Sequence, residues 1–325
     1  MRVLLTGGYG CIGSWITKDL LDNSHEVWIY DLRQDLRRIE QILDESQLAK
    51  VNFLEGDVTD LAALSTAFRE NKITHVIHLA GLQVPVCRAD PMLGAHVNVL
   101  GTLAVFEAVR QSEGQVSRIV YASSAAVFGP SDDYADAPVS DNVHLIPRTH
   151  YGVYKCCNEG NARIYHQDHG LNSIGLRPWT VFGVGRDFGM TSEPTKAVKS
   201  VALERPYHIT YGGLQDIQFV EDVAKTFARC LEAPYNGAKS YNLRGQVVDL
   251  PTFHQALCEV EPNAAELVTY GENQIPIAYD LADDALQNDL GPMPKTSLPE
   301  MIRSTLDNFR KLKANGRLGT YDLDG

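Results

Sequence analysis

Tyr151 and Lys155 stand four residues apart in the run Tyr151-Gly152-Val153-Tyr154-Lys155. Four residues is one helical turn, so a helix there puts both side chains on one face. A free tyrosine, with a pKa of about 10, is a poor base at neutral pH. An ammonium held beside the phenol stabilises the phenolate, and the pair can then take a proton from an alcohol as its carbon loses hydride. On its own such a pair is ordinary on a helix surface. Ser123-Ser124 gives it company: a strand over 118–122 delivers two hydroxyls that could hydrogen-bond the reacting oxygen. Ser124 is the preferred partner and Ser123 the alternative, since adjacency does not separate them.

Hydride needs an acceptor, and the first thirteen residues, MRVLLTGGYGCIG, are suited to hold one. A short apolar strand runs into Thr6-Gly7-Gly8-Tyr9-Gly10-Cys11-Ile12-Gly13, after which Trp15, Ile16, Leu20 and Leu21 recur at helical spacing. Strand, glycine turn and helix form the context of a dinucleotide fingerprint. Gly7 allows the tight turn, and Gly10 lets backbone approach a pyrophosphate. Gly13 lets the helix lie on the strand. Cys11 and Ile12 open the helix whose free amides favour an anion. Asp31 closes the next strand, eighteen residues after Gly13. Its carboxylate is placed to accept from the adenosine ribose and to repel a 2′-phosphate, so the reading is NAD over NADP, with Arg33 the one residue against it. Asp57 and Val58 follow the third strand as candidates for the adenine edge and face, although Asp57 could equally only cap a turn. His78 reads as a satisfied core histidine. The small turn after it, Leu79-Ala80-Gly81, again suits close approach of a cofactor.

These residues have to be carried to one place. Strands and helices alternate through the first half, the pattern of a parallel sheet covered on both faces. The expected fold is α/β: a Rossmann-type doubly wound parallel sheet with a smaller, interleaved C-terminal substrate domain. Residues 1–177, with 216–244 returning to them, make the nucleotide domain; 178–215 and 245–325 make the other. Helices are expected over 36–45, 61–70, 91–109, 151–169, 194–204, 222–232 and 299–312. The loop 130–148 is long, and the polar tail 313–325 reads as loosely held.

The chain has 325 residues and a net charge of −12, which disfavours a nucleic-acid or anionic-membrane surface. Cys11, Cys87, Cys156, Cys157, Cys230 and Cys258 lack metal-type spacing, so no metal is expected and the thiols read as reduced. A first strand at residue 2 leaves no room for a signal peptide, and no apolar run approaches transmembrane length; the expected compartment is the cytoplasm.

Thr6-Gly7-x-x-Gly10-x-x-Gly13, Asp31, Asp57-Val58, His78-Leu79-Ala80-Gly81, Asn98, Ser123-Ser124, Tyr151-x-x-x-Lys155 and Leu176-Arg177-Pro178 together resemble the extended short-chain dehydrogenase/reductases. This group is also called the NAD-dependent epimerase/dehydratase family, and the chain resembles its sugar 4-epimerases. The resemblance runs over nearly the whole chain. It implies Tyr151 as general acid/base, Lys155 as its electrostatic tuner and a ligand of the nicotinamide ribose, and Ser124 on the substrate hydroxyl. It adds Asn98 to the cofactor side and sets the segment from Pro178 to Val181 at the carboxamide. It also implies a homodimer built from helices 91–109 and 151–169.

Two departures narrow the activity. Ala125 and Ala126 stand where family dehydratases and decarboxylases carry a carboxylate, so those reactions are disfavoured. Gln215, in Gln215-Asp216-Ile217-Gln218-Phe219, stands where nucleotide-sugar enzymes have an arginine on the diphosphate. A smaller sugar, sugar acid or polyol then becomes a candidate substrate, with Arg88, Arg148, Arg186, Thr191, Ser192 and Gln215 as pocket residues. The expected reaction is epimerase-type redox at one carbinol carbon. The alternatives are a dehydrogenase of a free sugar, sugar acid or polyol and, more remotely, a non-catalytic NAD sensor.

Overall fold

The computed structural model describes residues 1–323. Twelve strands form in chain order: β1 (Arg2–Thr6), β2 (Glu26–Asp31), β3 (Val51–Glu55), β4 (His75–His78), β5 (Arg118–Ala122), β6 (Ser173–Arg177), β7 (Thr180–Phe182), β8 (Tyr207–Ile209), β9 (Leu214–Phe219), β10 (Ala238–Asn242), β11 (Gln246–Asp249) and β12 (Val268–Tyr270). Seven of them build one parallel sheet in the order β10-β6-β5-β4-β1-β2-β3. The apolar runs explain this placement: Val3, Leu4, Leu5, Val76, Ile77, Ile119 and Val120 are wholly buried, as strands covered on both faces must be.

Strand order reverses beside β1, which has β2 on one side and β4 on the other; Thr6 pairs with Tyr30 and with His78. A crevice at the carboxyl ends of the strands opens at such a switch point, and ligands bind there in open α/β sheets. The smaller part of the chain adds a sheet β11-β9-β7 and the pair β12-β8. β9 belongs to this small sheet, whereas the helix Val220–Glu232 lies on the helix Cys11–Asp22 and β10 joins the large sheet. One apolar core runs from Val3 through Phe182 and Phe219 to Leu312, so the two parts share an interior.

Several expected elements differ. The helix over 36–45 is two short ones, Leu36–Ile39 and Glu45–Leu48, because Asp35 and Asp44 each cap a separate turn. The helix over 91–109 is three segments: Pro91–Ala95, a π turn at His96–Leu100, and Gly101–Gln111. Taken together, Pro91–Gln111 is long and apolar enough to cross a membrane by length and composition, contrary to expectation, and half of it is buried in the fold. The tail is not loose among its described residues. Asp322 pairs with buried Lys199, Tyr321 donates to Asp187, and Arg317 donates to the Glu40 carbonyl. The polar groups of the tail are matched by partners that only the folded chain brings near.

Candidate active site

The glycine turn is dictated by contact. Gly7 has φ +70°, and a Cβ there would lie 2.7 Å from the Ala80 amide nitrogen, so β1 and β4 could not end so close with any side chain at this position. A Cβ on Gly13 would fall 2.7 Å from the Gly8 backbone. Gly10 differs, since its Cβ would meet only the Gly7 carbonyl, at 3.2 Å. No side chain caps the helix that Gly10 starts, and no acidic residue stands in its first turn. The amides at Cys11 and Ile12 are therefore left to an anion. Burial pushes the Cys11 thiol up to about 12, against the pull of Arg186 and Arg38, so it is no thiolate.

Asp31 ends β2 half-buried. Burial raises its pKa, and the Leu32 and Tyr9 amides partly offset this. Asp57 accepts from the Thr59 amide and hydroxyl at 2.9 and 2.8 Å, which hold its carboxyl below the usual range. That is the turn-capping arrangement. Val58 packs beneath Gly101, where a Cβ would come within 2.7 Å of it. These residues fit a dinucleotide: open backbone at Gly10, uncapped amides and a carboxylate at the end of β2.

His78 is buried between Thr6 and Thr102, bonded to their hydroxyls at 2.7 and 2.9 Å, and burial takes its pKa down to about 3. It is a neutral core histidine. Asn98 lies in the π turn; its amide accepts from Leu82 N at 3.0 Å and donates to Leu82 O at 3.1 Å. It thereby pins the loop Leu79-Ala80-Gly81, and Gly81 stands where a Cβ would be 3.8 Å from Lys155 Nζ.

The helix His150–His169 brings Tyr151 and Lys155 under the end of β5. Gly152 makes this possible: a Cβ there would sit 2.1 Å from the Ala126 carbonyl. Sequence reasoning passed over Gly152, although a glycine beside the tyrosine was visible. Lys155 Nζ donates to the Ala122 carbonyl at 2.6 Å and lies 5.5 Å from the centre of the Tyr151 ring. Burial lowers its pKa to about 8. Tyr151 behaves differently from expectation. Burial raises its pKa, and the groups that pull it down are the Ser124 hydroxyl and Arg186. Without a cofactor the phenol keeps its proton.

The two serines separate. Ser123 Oγ is buried and donates to Glu159 Oε1 at 2.5 Å; Glu159 in turn holds Arg177 at 2.9 and 2.8 Å. Ser124 Oγ accepts from the Ala126 amide, at 3.1 Å, and hydrogen-bonds with the Tyr151 phenol. The Pro178 carbonyl accepts from Ala125 N at 3.0 Å, and Val181 is buried in β7.

The substrate candidates fall into two groups. Arg88 and Arg148 line an open cavity of about 340 Å³ with Thr149, His150 and Val153, and Arg148 is paired with Asp133. Arg186, Thr191 and Ser192 share the loop before the helix Glu193–Ala202. Arg186 donates to Thr191 Oγ1 at 3.1 Å, and Ser192 Oγ closes the loop on the Gly189 carbonyl at 2.8 Å. Gln215, on β9, is buried and accepts from Thr180 Oγ1 at 2.9 Å. Tyr211 and Gln83, which flank this second group, carried no sequence signal.

Known proteins agree with this architecture. A model of the NAD dependent epimerase/dehydratase family matches residues 3–243. The UDP-glucose 4-epimerase of Mycolicibacterium smegmatis is 30% identical over 324 residues, covering 95% of this chain and 99% of the relative. The Thermus thermophilus UDP-glucose 4-epimerase, solved in complex with NAD, superposes with a TM-score of 0.80 at 28% identity over 95% of this chain and 99% of that one. A partial consensus L-threonine 3-dehydrogenase, 22% identical, shares the fold with a TM-score of 0.84 over 96% and 100% of the two chains. The glycine turn, the seven-stranded parallel sheet and a family match over most of the chain lead to one assignment: this is a member of the NAD-dependent epimerase/dehydratase family, and its cofactor is NAD.

Proposed function

We propose that the chain catalyses epimerase-type redox at one carbinol carbon of a sugar or sugar derivative. Ser124, Tyr151 and Lys155 carry it. The observation that supports the reading best is the meeting of the Ser124 hydroxyl, the Tyr151 phenol and the Lys155 ammonium at the sheet's carboxyl edge, beside the glycine turn. Bound NAD would supply a reversible hydride acceptor for the carbinol carbon. Gly7, Gly10, Cys11, Ile12, Gly13, Asp31, Val58, Leu79, Ala80, Gly81, Pro178 and Val181 would hold it, with Asp57 shaping the adenine end and Asn98 bracing the loop.

Ser124 donates to the substrate oxygen and orients it toward Tyr151. Tyr151 takes the alcohol proton and gives it back. Burial opposes its ionisation, so the positive charges of Lys155 and Arg186 have to supply the difference. Lys155 keeps its bond to Ala122 and has two further donors for ribose hydroxyls. Residues 178–215 and 245–325 serve as the substrate-facing part, and the protein works as a cytoplasmic homodimer.

Net dehydrogenation is a second reading, favoured by one observation: Gln215 is neutral where a diphosphate arginine is expected. Bound nucleotide separates the two. An epimerase retains stoichiometric NAD and makes no net NADH, and a dehydrogenase makes NADH in proportion to substrate. Tyr151→Phe should abolish turnover and leave NAD binding intact; an active variant would refute the mechanism, and a wild type silent on every epimer pair and alcohol tried would leave the sensor reading.

A further inference from the structure

Two buried side-chain donors, Arg186 Nε and Gln215 Nε2, have no acceptor among the described residues. Arg186 Nε is shielded from solvent and bonds nothing, while its Nη2 donates to Thr191. Gln215 is 1% exposed. Its Oε1 accepts from Thr180 and, at 3.5 Å, from the Tyr211 hydroxyl, and its Nε2 has no partner. Tyr211 connects the pair, since it contacts Gln215 and feels the charge of Arg186. Arg186 is also near enough for its charge to favour the Tyr151 phenolate.

Nothing in the fold neutralises Arg186 among the described residues. The adjacent carboxylate, Asp187, is held by Arg38 at 2.8–3.0 Å and by the Tyr321 hydroxyl at 2.5 Å. Other arginines have their own acids: Arg148 with Asp133, Arg177 with Glu159, Arg244 with Asp280. Gly189, at φ +107°, lets the Gln83 amide and the Arg186 guanidinium crowd together, since a Cβ there would lie 2.1 Å from Gln83 Oε1 and 3.2 Å from Arg186 Nη2.

A buried donor without an acceptor costs about 1–3 kcal/mol, more when charged, so a ligand that supplies only acceptors gains most here. A hydroxyl supplies a donor as well. A diphosphate brings two or more charges, against one guanidinium and one neutral amide. A carboxylate matches in charge and in lacking donors. We infer that the substrate is a hydroxy acid of the sugar-acid class, its carboxylate held by Arg186 and the Gln215 amide while Tyr151 and Ser124 take the carbinol. The inference rests on the proposed function for the carbinol end only. Arg186 also acts on Cys11 at the start of the first helix, so the cofactor's pyrophosphate is the other oxyanion it could serve.

Calorimetry on the Tyr151→Phe holoprotein tests this without turnover. The probes are NAD with the cofactor-free protein, then D-gluconate, D-galacturonate, D-galactose and UDP-galactose with the NAD-loaded one. A sugar acid should bind more tightly than galactose and UDP-galactose. Arg186→Gln should weaken it by about 10- to 100-fold, with Arg186→Lys restoring part and NAD affinity unchanged. Equal binding of acids and galactose, or tighter binding of UDP-galactose, overturns the inference. So does an Arg186→Gln variant that loses NAD affinity instead. An active Tyr151→Phe enzyme would end the proposed mechanism yet leave the carboxylate result standing.

Discussion

Replacing Lys155 by methionine should stabilise the NAD-free protein while ending turnover. Lys155 is 5% exposed, and its ammonium has one hydrogen-bond partner, the Ala122 carbonyl. Burial takes its pKa from 10.5 to about 8. Because the folded value lies below the unfolded one, the unfolded chain holds a proton between those limits that the folded chain has released. Stability therefore rises with pH across that window, and the penalty is fully present below about pH 8. At ~1.4 kcal/mol per factor of ten, the penalty at neutral pH is about 3 kcal/mol. Methionine removes it and loses a hydrogen bond of about 1 kcal/mol, for a net gain of about 2 kcal/mol. Urea denaturation of both proteins near neutrality and again at about pH 9.5 reads the effect; the ionic part of the gap should shrink to about half or less at the higher pH. A methionine variant less stable at both values, or a gap indifferent to pH, would refute the picture of a desolvated cation held ready for the cofactor.

Gly152→Ala forces a methyl group onto the Ala126 carbonyl, so stability should fall by about 1–3 kcal/mol and kcat with it, as Tyr151 withdraws from Ser124. Unchanged kcat would show that the close approach is not needed. Asp322→Ala leaves Lys199 buried without its acid, and a loss of about 3 kcal/mol in urea unfolding is expected; a neutral result would mean the tail is not part of the folded unit. Met92 and Leu93 in Pro91–Ala95, Leu100 in the π turn after it, and Val153 and Ile164 in the helix His150–His169 are exposed apolar side chains. Light scattering should give a dimer mass for the wild type and a monomer mass for Met92→Glu/Leu100→Glu; a monomeric wild type sinks the dimer.

Legibility followed the range of the forces involved. Gly7, Gly10 and Gly13 could be read because backbone geometry constrains residue type locally, and the buried parallel strands announced themselves as apolar runs. Tyr151 and Lys155 could be paired because helical spacing is local too. Gly152 was overlooked since its reason is the Ala126 carbonyl, twenty-six residues earlier in the chain. The split of the 36–45 helix was missed because two caps, at Asp35 and Asp44, outweighed a continuous helical pattern.

By itself the sequence determined the class of fold, the nucleotide turn and the pairing of Tyr151 with Lys155 on one helix face, because spacing along one strand or helix decides which residues share a face. Tertiary structure alone decided which partners these side chains meet. Ser123 is tied to Glu159, which also holds Arg177, whereas Ser124 meets the Tyr151 phenol. Burial raises Tyr151 and lowers Lys155. Asp187 goes to Arg38 and Tyr321, which leaves Arg186 without an acid beside the cleft. Hydrogen bonding and desolvation depend on neighbours distant in the chain, and those neighbours exist only once the chain has folded.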